Sequence, residues 1–200
     1  MPQPFNNAVM TNAGAALLTR AQAGEIKIKF VKMVTGNGSY TDSEKTLAAL
    51  QARTALKSLK NEYSFSRYFV YSEKSVKLTA LITNYDSVAQ RALVTSGYYI
   101  NEIGLYAKAD GAADSTAVLY SIAVTSGVNG DFMPPYNGYN PANITQDYYA
   151  TVDNSANVEV NASGAALLAE EANVITDDTT NQKWKLGIDN GNLYYEEVTS

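Results

Sequence analysis

The 200-residue chain is 46% hydrophobic and 18% charged, with a formal net charge of −5; this suits a buried core and excludes the clustered basic charge of a general nucleic-acid or anionic-membrane binder. It contains no Cys and no His, which excludes disulfides, thiolate nucleophiles, Ser/His/Asp and Cys/His catalysis, and the commonest transition-metal ligands. No apolar run approaches the ~20 residues of a membrane-spanning helix, and residues 1–7 lack the basic and apolar regions of a secretory signal, so synthesis in the cytoplasm without membrane insertion is expected.

The first predicted element is a helix over 13–23, with Thr11 or Asn12 as N-cap, Gly24 at C′, and Ala13, Leu17, Leu18 and Ala21 in one apolar stripe. A strand over 25–34 follows, in which Ile26, Ile28 and Phe30 alternate with Lys27 and Lys29, and Gly36-Asn37-Gly38 ends it. A second short helix is expected over 41–52, with Leu47 and Leu50 inward. Strands then follow over 63–71 and 74–83; in the latter Val76, Leu78, Ala80 and Ile82 oppose Ser75, Lys77, Thr79, Leu81 and Thr83, the pattern of a one-sided antiparallel strand. Further strands are expected over 98–108, 117–125, 147–153 and 157–161.

Residues 127–146 read as one long loop rich in Tyr, Asn, Gly and Pro. Such a loop is either an arm packed on a neighbouring subunit or a recognition loop, and in the second case Phe132, Tyr136 and Tyr139 are the contact candidates. The tail predicts a helix over 162–172, a turn over 177–180 and a hairpin. Its Asn190-Gly191 pair suits a type I′ turn, which needs positive φ at both central residues. That turn sets the register: Asp189 opposite Asn192, Ile188 opposite Leu193, Gly187 opposite Tyr194, Leu186 opposite Tyr195, Lys185 opposite Glu196, and Trp184 opposite Glu197. One face then carries Trp184, Leu186, Ile188, Leu193 and Tyr195. The expected fold class is α+β: a mostly antiparallel β-sheet domain over 1–160 with short N-terminal helices, then a C-terminal helix and β-hairpin module over 161–200.

The residues that invite chemistry have simpler readings. Asp110, Asp114, Asp131 and Asp189 lack the spacing that wraps oxygens around calcium, so turn roles are expected and no metal or cofactor. Glu170-Glu171 and Glu196-Glu197 are adjacent pairs whose side chains point apart, which makes neither an acid/base couple. No enzyme is expected. Glu102 differs, because on a strand it shares a face with Tyr98, Ile100, Gly104 and Tyr106. A carboxylate there needs a cation or backbone donors to stay ionised, and Arg53, Arg67, Arg91 and Lys108 are the candidate partners of a structural ion pair. The 15 Tyr against 5 Phe suit half-wet surfaces, either subunit contacts or half-buried strand positions.

Tyr98-Tyr99-Ile100-Asn101-Glu102-Ile103-Gly104-Leu105-Tyr106-Ala107 resembles the signature of phage tail-fibre, or tail-collar fibre, N-terminal domains. Thr11-Asn12-Ala13-Gly14-Ala15-Ala16-Leu17-Leu18, Phe30-Val31-Lys32-Met33-Val34-Thr35-Gly36-Asn37-Gly38, Val118-Leu119-Tyr120, Asp131-Phe132-Met133-Pro134-Pro135 and Asn154-Ser155-Ala156-Asn157-Val158 extend the likeness in order over about residues 5–160. The resemblance implies a virion component that anchors a fibre to a baseplate, with baseplate or other tail proteins as partners and a homotrimer as the usual assembly. The family's long shaft is missing, so a short fibre, a fibre adaptor or a baseplate-periphery part is implied. Candidate assembly residues are Tyr98, Ile100, Glu102, Ile103, Leu105 and Tyr106, with Trp184, Leu186, Ile188, Leu193 and Tyr195 on the hairpin. The alternative is a receptor-binding module in which the 131–149 loop grips a host surface glycan or protein.

Overall fold

The computed structural model describes residues 5–72, 74–152, 158–160, 174–176, 179–180, 182–189 and 192–197. The chain divides into two compact units, Met1–Ala166 and Leu167–Ser200. The first opens with a two-residue strand, β1 (Val9–Met10), and helix α1 (Asn12–Gln22). Thr11 is the N-cap: its hydroxyl accepts from the Gly14 N–H at 3.0 Å and donates to the Leu119 carbonyl, so one buried side chain starts the helix and ties it to a strand. Gly24 ends the helix at φ +75°, a left-handed conformation that glycine adopts without a Cβ clash.

Strand β2 (Ile28–Gly36), helix α2 (Leu47–Gln51) and strand β3 (Leu59–Tyr63) follow, then β4 (Phe65–Ser72), β5 (Ser75–Thr83) and the small hairpin β6 (Tyr85–Asp86) and β7 (Arg91–Ala92). Next come β8 (Tyr98–Ile100), β9 (Glu102–Ala109), a short 3₁₀ turn (Asp114–Thr116), β10 (Val118–Val124), β11 (Asp131–Met133), β12 (Asn143–Thr151) and β13 (Val158–Val160). The large sheet runs β1-β10-β9-β2. The far edge of β2 is shared: β13 pairs in parallel with its start and β3 antiparallel with its end. A second sheet, β12-β5-β4, is joined to the first where the chain crosses at Ser64 from β3 to β4. The short β11-β8 pair lies outside both sheets.

The two sheets enclose one buried cluster. Ile28, Phe30, Met33, Leu105, Ala107 and Tyr120 come from the large sheet, and Phe65, Leu78, Ala80, Ile82, Tyr148 and Ala150 from the small one, with Leu17 and Ala21 of α1 completing it. The opposite face of the large sheet is also covered, by a smaller cluster of Val34, Leu50, Leu56, Leu119, Ile122 and Val124. Two bulges make this possible. Register shifts at Val31 in β2, opposite the Tyr106–Ala107 step of β9, and at Tyr120 in β10, opposite its Leu105–Tyr106 step, put Phe30 and Met33 into the same cluster despite their odd spacing.

The expected α+β class is corrected to all-β, because α1 and α2 are the only α-helices among the described residues. The predicted helix over 41–52 shrinks to five residues. The Thr46 hydroxyl accepts from the Ala49 N–H and starts α2 late, while Glu44 folds back to the Thr41 N–H at 2.8 Å and holds 41–46 in turns. The helix over 162–172 lies outside the described residues. The strand over 63–71 breaks at Ser64, and the one over 98–108 breaks at Asn101. The 127–146 loop is also corrected: it contains β11, paired with β8, and the first residues of β12, paired with β5.

In the second unit β14 (Val174–Thr176), β15 (Lys183–Asp189) and β16 (Asn192–Glu197) form a three-stranded antiparallel sheet. All six hairpin pairs stand in the register read from the Asn190-Gly191 turn. Strand β14 pairs with β15 and adds the third strand that an isolated hairpin lacks.

Candidate functional site

Glu102, the first residue of β9, is fully buried, and its carboxylate is the most heavily hydrogen-bonded side chain among the described residues. Oε1 accepts from the Gly38 N–H at 3.0 Å and the Ser58 N–H at 2.7 Å. Oε2 accepts from the Lys57 N–H at 2.8 Å and from the Tyr40 hydroxyl. Two loops supply these donors, one leaving β2 and one entering β3. Gly36 and Gly38 make room, since a Cβ on either would stand 2.5–2.6 Å from Oε1. The expected ion pair is therefore replaced by three backbone donors and a phenol. Arg53 and Lys57 sit over the Tyr40 ring at 5.5 and 5.3 Å instead. Lys108 pairs with Asp114 at 2.7 Å, and Arg91 stands 3.9 Å from Asp86. Burial, and then the bond to Glu102, push the Tyr40 phenol well above its ordinary pKa, so it remains a donor.

Neighbouring residues extend this seat. The Asn101 N–H donates to the Gly36 carbonyl at 2.9 Å, and its Oδ1 accepts from the Gly130 N–H at 3.0 Å. Thr35 and Tyr98 share a hydrogen bond at 2.9 Å, and Tyr98 donates to Asn61 at 3.2 Å. Gly104 is required because a Cβ there would collide with Leu56, Leu119 and Val34. Tyr98, Ile100, Glu102, Ile103 and Leu105, expected at an assembly surface, are thus buried in the chain's own core, and Tyr106 is half-buried with Lys32 over its ring at 5.5 Å. This is a correction: alternation reveals an apolar face but not whether a sheet or a second subunit covers it.

The recognition-loop candidates fall in three settings. Phe132 is half-exposed and packs on Tyr99 at 5.1 Å. Tyr136 stacks on Tyr85 at 4.3 Å with 24° between rings. Tyr139 is 86% exposed, in a turn where Asn137 Oδ1 accepts from the Tyr139 and Asn140 N–H groups. Buried Asn84 clamps both ends of this loop: its Nδ2 donates to the Pro134 carbonyl at 3.1 Å, its Oδ1 accepts from the Ala142 N–H at 2.8 Å, and its N–H donates to the Ala142 carbonyl at 3.2 Å. No sequence motif marks Asn84. On the hairpin, Trp184 is half-buried against exposed Tyr195 at 5.5 Å; Leu186, Ile188 and Leu193 hold the expected register positions. Asp110 accepts from the Gly111 N–H in a turn, and the described residues contain no group of three metal-ligating side chains.

Among the described residues, the largest exposed apolar run is on β4, where Tyr68 is 49%, Phe69 42%, Val70 76% and Tyr71 61% exposed. Beside it, Lys77 stands between the Phe69 and Tyr149 rings at 5.5 and 5.8 Å and pairs with Asp147 at 2.7 Å, which raises the ammonium pKa. Tyr71 meets Tyr149 edge-on at 4.9 Å. No family model, curated protein or solved structure matches the chain.

Proposed function

We propose that this chain is a structural component of a phage tail or phage-tail-like particle: a short tail fibre or fibre adaptor that attaches to a baseplate and assembles as a homotrimer. The observation that carries this reading is the β4 surface, where four consecutive large apolar residues are exposed along a sheet edge. A strand of that kind pairs with another chain or aggregates. The resemblance to tail-collar fibre domains supports it from a second side. Its signature residues Gly36, Gly38 and Glu102 meet at the buried carboxylate seat, and Gly104 packs under Leu56, Leu119 and Val34, so the motif serves folding and the function falls to surfaces. The test is immunogold microscopy of particles released by cells that express the gene. Gold at the tail end or baseplate is expected; particles that carry none of the chain refute the reading.

A second reading, a receptor-binding module, is favoured by Tyr139. This exposed ring sits on a loop already fixed by Asn84, so docking there loses little conformational entropy. Host-cell binding that falls at least tenfold in Tyr139→Ala supports it, and equal binding by both proteins rejects it.

A further inference from the structure

We infer that Asn137 is a self-modification site, converting to aspartate and isoaspartate in the folded chain at the tip of the 134–142 loop. This property is independent of the assembly reading above. The sequence holds four Asn-Gly pairs, at 37–38, 129–130, 137–138 and 190–191. An asparagine followed by glycine is prone to this reaction, because no Cβ shields the glycine nitrogen and the backbone turns freely. The fourth pair lies outside the described residues.

The fold treats the other three differently. Gly38 is buried and its N–H donates to Glu102 Oε1 at 3.0 Å, while Asn37 Oδ1 accepts from the Ser58 hydroxyl at 2.7 Å. The Gly130 N–H donates to Asn101 Oδ1 at 3.0 Å, and a Cβ on Gly130 would stand 2.0 Å from the Ile100 carbonyl oxygen. In both pairs the attacking nitrogen is bonded and packed, so it reacts only after local opening. Asn137 and Gly138 are exposed, and the Gly138 N–H makes no hydrogen bond among the described residues. Gly138 sits at φ +88° with open space where a Cβ would be. Asn137 Oδ1 accepts from the Tyr139 N–H at 2.9 Å and the Asn140 N–H at 3.1 Å.

Those two donors favour the chemistry. The Gly138 nitrogen loses its proton to water or hydroxide and bonds to Asn137 Cγ, an attack within one residue pair. The negative charge that collects on Oδ1 meets the Tyr139 and Asn140 N–H groups, which act as an oxyanion hole. Nδ2 takes up a proton and leaves as ammonia, and a succinimide ring remains. Water then opens the ring. Cleavage of the bond from nitrogen to Cγ gives aspartate, and cleavage of the bond from nitrogen to the main-chain carbonyl carbon gives isoaspartate. The balance is one water consumed and one ammonia released. Either product adds a negative charge beside exposed Tyr139, and isoaspartate also lengthens the main chain there.

Peptide mapping of the intact chain tests this. Samples are held at mildly alkaline pH, folded in buffer or unfolded in guanidinium chloride, and the chymotryptic peptides are weighed and scored for isoaspartate. Asn137 should react at least as fast folded as unfolded, whereas Asn37 and Asn129 should slow at least tenfold on folding, because Gly38 and Gly130 must first open. Any slowing at Asn137, or less than tenfold slowing at either of the other two, overturns the inference.

Discussion

Replacing Glu102 by Gln keeps the side chain's shape and removes its charge. The amide oxygen still accepts from two donors, but the amide nitrogen then faces the Lys57 N–H, a donor against a donor, with Tyr40 as the remaining neighbour. Hydrogen bonds to a charged group contribute about 1.5–3 kcal/mol each, and a buried donor left unpaired costs about 1–3 kcal/mol. Loss of one charged bond, weakening of the others and one orphaned N–H together predict destabilisation of about 3–5 kcal/mol. At about 2–4 °C per kcal/mol for a unit of this size, the thermal midpoint falls by roughly 6–20 °C. Calorimetry of the two proteins side by side measures it. A midpoint within 2 °C of the unmodified chain refutes the reasoning, because a carboxylate that four donors surround cannot be exchanged for an amide at no cost.

Gly38→Ala drives a Cβ to 2.6 Å from Glu102 Oε1 and 2.7 Å from the Lys57 Cβ, so it should cost about 1–3 kcal/mol in a denaturant titration, whereas Gly111→Ala, which meets no neighbour but sits at φ +75°, should cost about 1 kcal/mol from backbone strain alone. Asn84→Ala removes both clamps on the 134–142 loop; hydrogen exchange at the Ala142 amide should accelerate at least tenfold, and an unchanged rate would show that the loop holds itself. Glu44 is held down to about 2 from its ordinary 4.5, first by the Lys57 hydrogen bond and then by Thr41; its folded-state pKa lies below the unfolded value, so its contribution is complete above pH 4.5 and disappears as pH falls toward 2. A carboxyl NMR titration of Glu44 with a midpoint near 4.5 would contradict that arrangement.

Local chemistry was legible wherever the chain signals itself. Asn190-Gly191 determined a whole hairpin register, Thr11 and Gly24 bounded α1, and strict alternation located β5 with its inward Val76, Leu78, Ala80 and Ile82. What stayed hidden depends on partners distant in sequence. The bulges at Val31 and Tyr120 break the period-two pattern for reasons visible only in the neighbouring strand. Strand β3, Leu59-Lys60-Asn61-Glu62-Tyr63, has too little apolar alternation to announce itself, and β11 is three residues long inside a Pro- and Gly-rich stretch. Glu102 was identifiable as a buried carboxylate in need of partners. Its actual donors are mostly backbone amides, which every residue carries, so sequence pointed toward arginines and lysines instead. The same limit misplaced Ile100, Ile103 and Leu105, whose apolar faces were clear but whose covering layer was a sheet of their own chain.

The claim on which the account turns is that copies of this chain assemble through surfaces a single copy leaves uncovered. Light-scattering mass of the purified chain over a hundredfold dilution tests it directly. A trimer mass that holds until dilution separates it is the expected result; a monomer at every concentration, with the β4 aromatics stable in water, contradicts it.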